Sequence, residues 1–486
     1  MKRNILHRLT ACLCLCALLC GGLTVPAKAA GFKDVTSGHW AAEAISQCVT
    51  QGWFQGKSVH TFGVGQPMTR AAFAVVLSRF FGWQDHGAYY QIFSDVPQGA
   101  WYEPALRACY EHGAVTRQTD SFRPADAVTR EELAVMLLRA MGYGSMTGFF
   151  SKSALPFRDV TTNRGYIAMA YEMGLVNGMS GNLFAPGRAA TREQAAVMLS
   201  RLYGKLHPVQ EESMAILRQG EDRPDLTGYQ TVILMAGSLA GGQIPQFTAN
   251  LGGVQIQARK AAQADGKKVL LGVSGQTSVL KSSAAAQRLA QAVSDGGYDG
   301  LYLDISQQAA ADSAPLTRFV QAVRAAMPDG KLYVAADAPV SGQSAPDYTA
   351  LGKTADRIVL RVPAYADASA AVPVSAMEPL ENICYAVSVL NDQVAAGKLS
   401  LLLTAEGQVQ KSGGRFTSVD AKSLDTLIRQ GTAYYSDRYA CAYVETKDAV
   451  AWYLNDRALA ARRQLLNCFG VNAVCVSTPN GTLTIQ

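Results

Sequence analysis

The sequence predicts a multidomain chain: an all-α helical bundle followed by an α/β barrel of the (β/α)8 type. Two observations predict it. A block of about 60 residues opening on F-x-D-V occurs three times within the first 204 residues. From residue 229 onward, short apolar runs alternate with helical patterns, which is the rhythm of β/α units. A length of 486 residues accommodates two to four domains.

The first 29 residues are expected to be a secretory signal peptide. Lys2, Arg3 and Arg8 form a basic start, "LTACLCLCALLC" (9–20) is a short apolar core, and "AKA" (27–29) offers a small-residue cleavage site. The apolar run is too short for a spanning helix. The rival is a lipid anchor on Cys20, which Leu19 disfavours because such sites need a small residue there. No other run is apolar for long enough to cross a membrane. Removing Lys2, Arg3, Arg8 and Lys28 from the net charge of +6 leaves about +2, which argues against a nucleic-acid partner. Six of the ten cysteines follow the signal, with no C-x-x-C and no zinc spacing. Cys48 and Cys109 occupy one repeat position that holds Met173 in the third repeat, so they read as buried free thiols. No metal or organic cofactor is indicated.

The repeats open with "FKDVTSGHW" (32–40), "FSDVPQGAW" (93–101) and "FRDVTTNRG" (157–165). About 35 residues further on come "MTRAAFAVVLSRF" (68–80), "VTREELAVMLLRA" (128–140) and "ATREQAAVMLSRL" (190–202). Thr69, Thr129 and Thr191 are N-caps of this second helix. Glu132 and Gln194 complete capping boxes, whereas repeat one has Ala72 there. Phe73, Val76, Leu77 and Phe80 form an i, i+3, i+4, i+7 stripe. The preceding helix of each repeat stops at Gly52, Gly113 or Gly174. A loop carrying Phe62, Phe122 or Phe184 joins the two helices. One such pair cannot bury its own apolar face, so three must pack together.

Residues 31–204 resemble three S-layer homology modules. The resemblance implies a pseudo-threefold helical bundle that binds secondary cell-wall polysaccharide, often pyruvylated. The residues fit that chemistry. Arg70, Arg130 and Arg192 stand in the first turn of capped helices, where free N–H groups and the dipole favour a carboxylate. Trp40 and Trp101 offer faces for stacking on sugars, and the third repeat has Gly165 instead. The competing structural reading pairs each arginine with an F-x-D-V aspartate.

"GKLHPVQEESMAILRQGEDRPDLTG" (204–228) reads as a polar linker. Expected barrel strands are 231–236, 253–257, 268–274, 300–305, 331–337, 356–362, 399–405 and 473–477, with helices at 283–294, 314–327 and 449–468. The stretch 237–252 reads as a loop. The expected division is a signal at 1–29, repeats at 31–90, 91–153 and 154–204, a linker at 205–228 and a barrel at 229–486.

The barrel segment resembles family 18 glycoside hydrolases. "ARKAAQADGKKVLLGVSG" (258–275), "YDGLYLDIS" (298–306), "DYTALGKTADRIVLRVPAY" (347–365) and the run 449–477 carry the likeness, the last especially to the spore-cortex-lytic branch. The resemblance implies substrate-assisted hydrolysis of N-acetylated glycan, with the signature Asp-Gly-x-Asp-x-Asp-x-Glu on the fourth strand. Here Asp299 and Asp304 match the first and third aspartates, Tyr302 replaces the second, and Ser306 replaces the catalytic glutamate. Serine has no proton to give near neutral pH. Arg361 stands where the family's Met-x-Tyr-Asp segment begins, and no Trp ends the eighth strand. Glu406 after the seventh strand is the surrogate acid, if one exists. The expected protein is secreted and held on a Gram-positive wall, with a barrel that is a pseudoenzyme binding a glycan in its mouth or displaying loops. An active N-acetylglucosaminidase with an atypical acid, or a structural surface-layer component whose barrel has no ligand, are the alternatives.

Overall fold

The computed structural model describes residues 31–84, 87, 90–209, 211–218, 226–240, 246–249, 253–275, 280, 283–305, 313–340, 346–367, 369–404, 406–411 and 413–477. The expected signal peptide lies outside them, as do Ser306 and the residues after Ser477.

The chain divides into two compact units, Met1–Gly142 with Ala185–Arg201, and Tyr143–Phe184 with Leu202–Gln486. The helices of the repeats are α1 (Ala42–Thr50), α2 (Arg70–Phe81), α3 (Glu103–Glu111), α4 (Arg130–Ala140), α5 (Arg164–Glu172) and α6 (Arg192–Leu206). Gly52, Gly113 and Gly174 end the first helix of each pair at φ of 76°, 73° and 68°, values that an L side chain rarely adopts. In the first unit the three helix starts are sewn together in a ring. Met68 N–H donates to Ala190, Ala190 to Val128, and Val128 to Met68, at 2.9, 2.8 and 2.8 Å. This closed triangle of backbone bonds gives the bundle its pseudo-threefold axis. The thiols of Cys48 and Cys109 are buried and each donates to a carbonyl at 3.3 Å, of Ala196 and Ala74. Burial pushes both up to about 12, as expected of inert core thiols.

The second unit holds the barrel. Its strands are β1 (Glu212–Leu217), β2 (Thr231–Ala240), β4 (Lys268–Gly275), β5 (Gly300–Ile305), β6 (Lys331–Asp337), β7 (Arg357–Arg361), β10 (Leu399–Thr404) and β16 (Ala473–Ser477), and β3 (Gln246–Ala249) pairs antiparallel outside β2. The order β1-β16-β10-β7-β6-β5-β4-β2, closed by β1 against β2, is an eight-stranded parallel barrel. Around it come α7 (Gly253–Ala264), α8 (Ser283–Gly296), α9 (Ser313–Ala326), α10 (Tyr348–Thr354), α11 (Leu380–Leu390) and α13 (Asp456–Cys468). Two insertions follow strand C-terminal ends. The hairpin of β8 (Tyr365–Asp367) and β9 (Val374–Ala376) follows β7. A five-stranded antiparallel sheet follows β10: β11 (Gly407–Lys411), β12 (Thr417–Val419), β13 (Thr432–Ser436), β14 (Cys441–Glu445) and β15 (Ala449–Tyr453), with α12 (Ala421–Gln430). The barrel interior is packed by Met214, Ile216, Ile233, Leu270, Tyr302, Tyr333, Val359 and Cys475.

Four expectations are corrected. The first barrel strand lies at Glu212–Leu217, inside the expected linker; its apolar core "MAIL" is buried between two parallel neighbours and was masked by the charged residues around it. Residues 253–257 alternate like a strand but belong to α7, because the strong helix formers after them continue the run. Much of 237–252, read as a loop, is the end of β2 and β3. Residues 449–453, placed in a helix, are β15; Val450, Trp452 and Tyr453 favour a strand, and β11 and β14 flank it.

The second unit also contains α5 and a short 3-10 helix, Gly144–Phe150. Phe149 meets Tyr385 of α11 edge-on, and Phe150 stacks on Phe469 just beyond α13, both with ring centres 5.6 Å apart.

Candidate functional site

Each repeat builds its site from a folded loop and a capped helix. Asp34 accepts the N–H groups of Phe62, Gly63 and Val64 at 2.8, 2.7 and 3.0 Å. Burial works against its charge, but these bonds win and hold the carboxyl below its ordinary value. Asp95 does the same for Phe122 and Arg123 at 2.8 and 2.7 Å, and Asp159 for Phe184 at 2.8 Å. The F-x-D-V aspartates therefore fold the phenylalanine loops.

Thr69 accepts from Ala72 N–H at 3.2 Å, and Thr129 with Glu132 forms a complete capping box. At Thr191 only the return bond is made, from its N–H to Gln194 at 3.2 Å, while its hydroxyl is buried without a hydrogen-bond partner. Arg70 donates Nε to the Phe122 carbonyl at 2.8 Å, lies over that ring at 4.7 Å, and pairs Nη1 with Glu132 at 2.5 Å. Arg192 repeats this on repeat one: Nε to the Phe62 carbonyl at 2.9 Å, Nη2 to the Gln55 carbonyl at 2.7 Å, and the guanidinium 4.9 Å from the Phe62 ring centre. Burial pulls both guanidinium groups below their ordinary value. Arg130 N–H donates to the Arg188 carbonyl at 3.0 Å.

Trp40 and Trp101 precede α1 and α3 and are 63% and 68% exposed. At the third position a β-carbon on Gly165 would lie 2.2 Å from the Thr147 carbonyl oxygen, so the 3-10 helix takes the space a tryptophan would need.

In the barrel, the C-terminal ends of β5, β6 and β7 are tied together by one arginine. Arg361 Nη1 pairs with Asp304, Nε with Asp337 at 2.7 Å, and Nη2 donates to the Ile305 carbonyl at 3.0 Å. Burial disfavours its charge, yet Asp304 and then Asp337 hold it above its ordinary value. Tyr302, at the second aspartate's position, is fully buried, and its hydroxyl has no hydrogen-bond partner. Burial, then the nearby Asp304, pushes that hydroxyl far up. Asp299 stands at the opposite end of β5, where it accepts Val269 N–H at 2.7 Å and fastens the start of β4. Glu406 pairs with Arg218 at 2.7 Å.

Three groups were missed by sequence reasoning. Lys57 lies beside Arg192 across Gly63. Arg462 is buried on α13, donating to the Ala440 and Ala458 carbonyls at 2.6 and 2.9 Å and to the Met377 carbonyl at 2.5 Å. Glu378, beside Met377, is 4% exposed and accepts Thr404 N–H at 3.2 Å. No local motif marks any of them. In the inserted sheet, Tyr434, Tyr443 and Trp452 stand opposite one another on neighbouring strands, with ring centres 5.2 and 4.7 Å apart. Among the described residues no cluster of metal-binding side chains occurs, and no helix is long and apolar enough to cross a membrane.

The S-layer homology domain model matches residues 31–74, 92–134 and 156–196. The chain is 29% identical over 184 residues to the exoglucanase XynX of Acetivibrio thermocellus, covering 37% of this chain and 17% of that protein. It is 26% identical over 197 residues to the S-layer protein EA1 of Bacillus anthracis, covering 39% and 22%. The chain thus spans 17% and 22% of the lengths of these two relatives. A chitinase structure from Chromobacterium violaceum superposes with a TM-score of 0.48 at 17% identity, covering 56% of this chain and 94% of that one. Three S-layer homology domains, joined in one chain to an eight-stranded parallel β/α barrel, are what this protein is built from.

Proposed function

We propose that this is a cell-surface protein held on a Gram-positive wall. The S-layer homology repeats bind the secondary wall polysaccharide, and the barrel binds a glycan or displays its loops without cutting. The three family matches in one run carry the anchoring reading. Exposed Trp40 and Trp101 and the arginines that open α2 and α6 support it, because a guanidinium suits a carboxylated sugar such as a pyruvyl ketal.

For the barrel, the non-catalytic reading rests on Arg361. In the resembling hydrolases the aspartate at the position of Asp304 must be free to position the substrate's N-acetyl group. Here Asp304 is held by Arg361, which also holds Asp337. Ser306 supplies no acid, and Glu406 is paired with Arg218. Tyr434, 44% exposed at the end of the aromatic row, supports a glycan as the ligand, since an aromatic face stacks on a sugar ring.

The test is sedimentation of the chain lacking residues 1–29 with purified sacculi that retain their secondary polymer. The protein pellets with them and stays in solution with sacculi stripped by hydrofluoric acid. Pelleting equally with both overturns polymer binding. The chain is used whole because residues 143–184 fold with the barrel, so a cut at 204 divides a unit.

A further inference from the structure

The two insertions of the barrel meet through an aromatic stack. Tyr365, on β8 of the hairpin, stacks on Tyr439, at the corner between β13 and β14, with ring centres 5.6 Å apart and planes at 21°. Tyr439 also meets Trp452 of β15 edge-on at 5.7 Å. Tyr365 is 42% exposed, so the stack reaches the surface.

Both sides of this stack are fastened from within by Arg462 of α13, which is fully buried. Its Nη1 donates to the carbonyl of Ala440, the residue after Tyr439, at 2.6 Å, and its Nη2 to the carbonyl of Met377 at 2.5 Å. Met377 follows β9, whose last residue, Ala376, is the register partner of Tyr365. The chain is left-handed at both anchor points, at φ +46° for Ala440 and +36° for Glu378 next to Met377. Non-glycine residues hold such angles only where their surroundings impose them.

This clamp has a titratable neighbour. Glu378 Oε1 accepts Thr404 N–H of β10, while Glu378 Oε2 and Arg462 Nε are both buried without a hydrogen-bond partner. Cys441 of β14 and Tyr435 of β13 also face the two groups. Burial raises both of these, so they stay neutral near pH 7. Burial likewise raises Glu378, against the pull of Arg462, to about 7, which makes it the group that changes charge there. A protonated Glu378 leaves Arg462 to the two carbonyls. A buried carboxylate left unpaired is costly, so a Glu378 that has lost its proton draws the guanidinium to itself and away from Met377 and Ala440.

We propose that Glu378 and Arg462 form a proton-operated latch on the inserted sheet. With Glu378 neutral, Arg462 clamps hairpin and sheet beneath the Tyr365–Tyr439 stack. With Glu378 charged, the clamp lets go and the stack loosens. The device regulates this aromatic surface whatever ligand the barrel takes.

Hydrogen exchange read by mass spectrometry tests it on the chain lacking residues 1–29, at about pH 6 and about pH 8.5, with rates corrected for the intrinsic effect of pH. In the unaltered chain, protection of residues 374–377 and 434–443 falls at least about tenfold more at the higher pH than protection of strand 300–305. In Glu378→Gln, which keeps the shape and cannot ionise, protection of both segments is the same at the two pH values. Equal protection at both pH values in the unaltered chain overturns the latch. A pH-dependent loss that persists in Glu378→Gln, or one shared equally by strand 300–305, overturns it too.

Discussion

Glu378 shows how a single residue sets a pH dependence. Its backbone is left-handed, at φ +36°, unusual for a non-glycine residue. One carboxyl oxygen takes the Thr404 N–H and the other is buried without a hydrogen-bond partner. Burial outweighs the charge of Arg462 and raises this acid from 4.5 to about 7. The folded protein then holds a proton that the unfolded chain releases, so this residue's contribution falls as pH rises from 4.5 to about 7. Glu378→Gln is expected to gain about 1–3 kcal/mol relative to wild type between pH 5 and pH 8. Urea unfolding at the two pH values measures it; an equal effect at both contradicts the buried-acid account. Arg361 gives the second residue-scale prediction. Ser306→Glu alone restores the missing carboxyl but leaves Asp304 paired, so mass spectrometry should find no hydrolysis of chitin oligomers. Product from that single variant contradicts the locked site. The position of Arg361 was readable in the sequence, but its two aspartate partners come from β5 and β6, so only the side-by-side pairing of β5, β6 and β7 reveals the lock.

At the scale of elements, the repeat helices were legible because cap, stripe and glycine stop recur at fixed spacing. Seven of the eight barrel strands were legible as apolar runs, and the misses share one cause. Short segments such as 212–217 and 253–257 carry too few residues for periodicity to decide, and neighbours in the fold decide instead. The inserted sheet went unread for the same reason, since β11 to β15 are at most five residues long. Gly165 illustrates an exchange between elements. The sequence shows a tryptophan lost from the repeat pattern, and the structure shows that the Thr147 carbonyl occupies the place. Gly165→Trp is expected to destabilise by about 1–3 kcal/mol or more, because backbone rather than a movable side chain must yield. Thermal melting checks this, and an unchanged midpoint contradicts the close approach.

For the whole molecule, the proposed function pairs a wall-binding bundle with a barrel that does not cut. Its central claim is attachment without cleavage, and one measurement reads both halves. Polymer-bearing sacculi are incubated with the chain lacking residues 1–29 and centrifuged, and the supernatant is analysed by mass spectrometry for saccharides with new reducing ends. The account predicts the protein in the pellet and no such saccharides in solution. Released N-acetylated oligosaccharides that disappear in Glu406→Gln or Asp304→Asn would contradict it, making the barrel a working glycosidase.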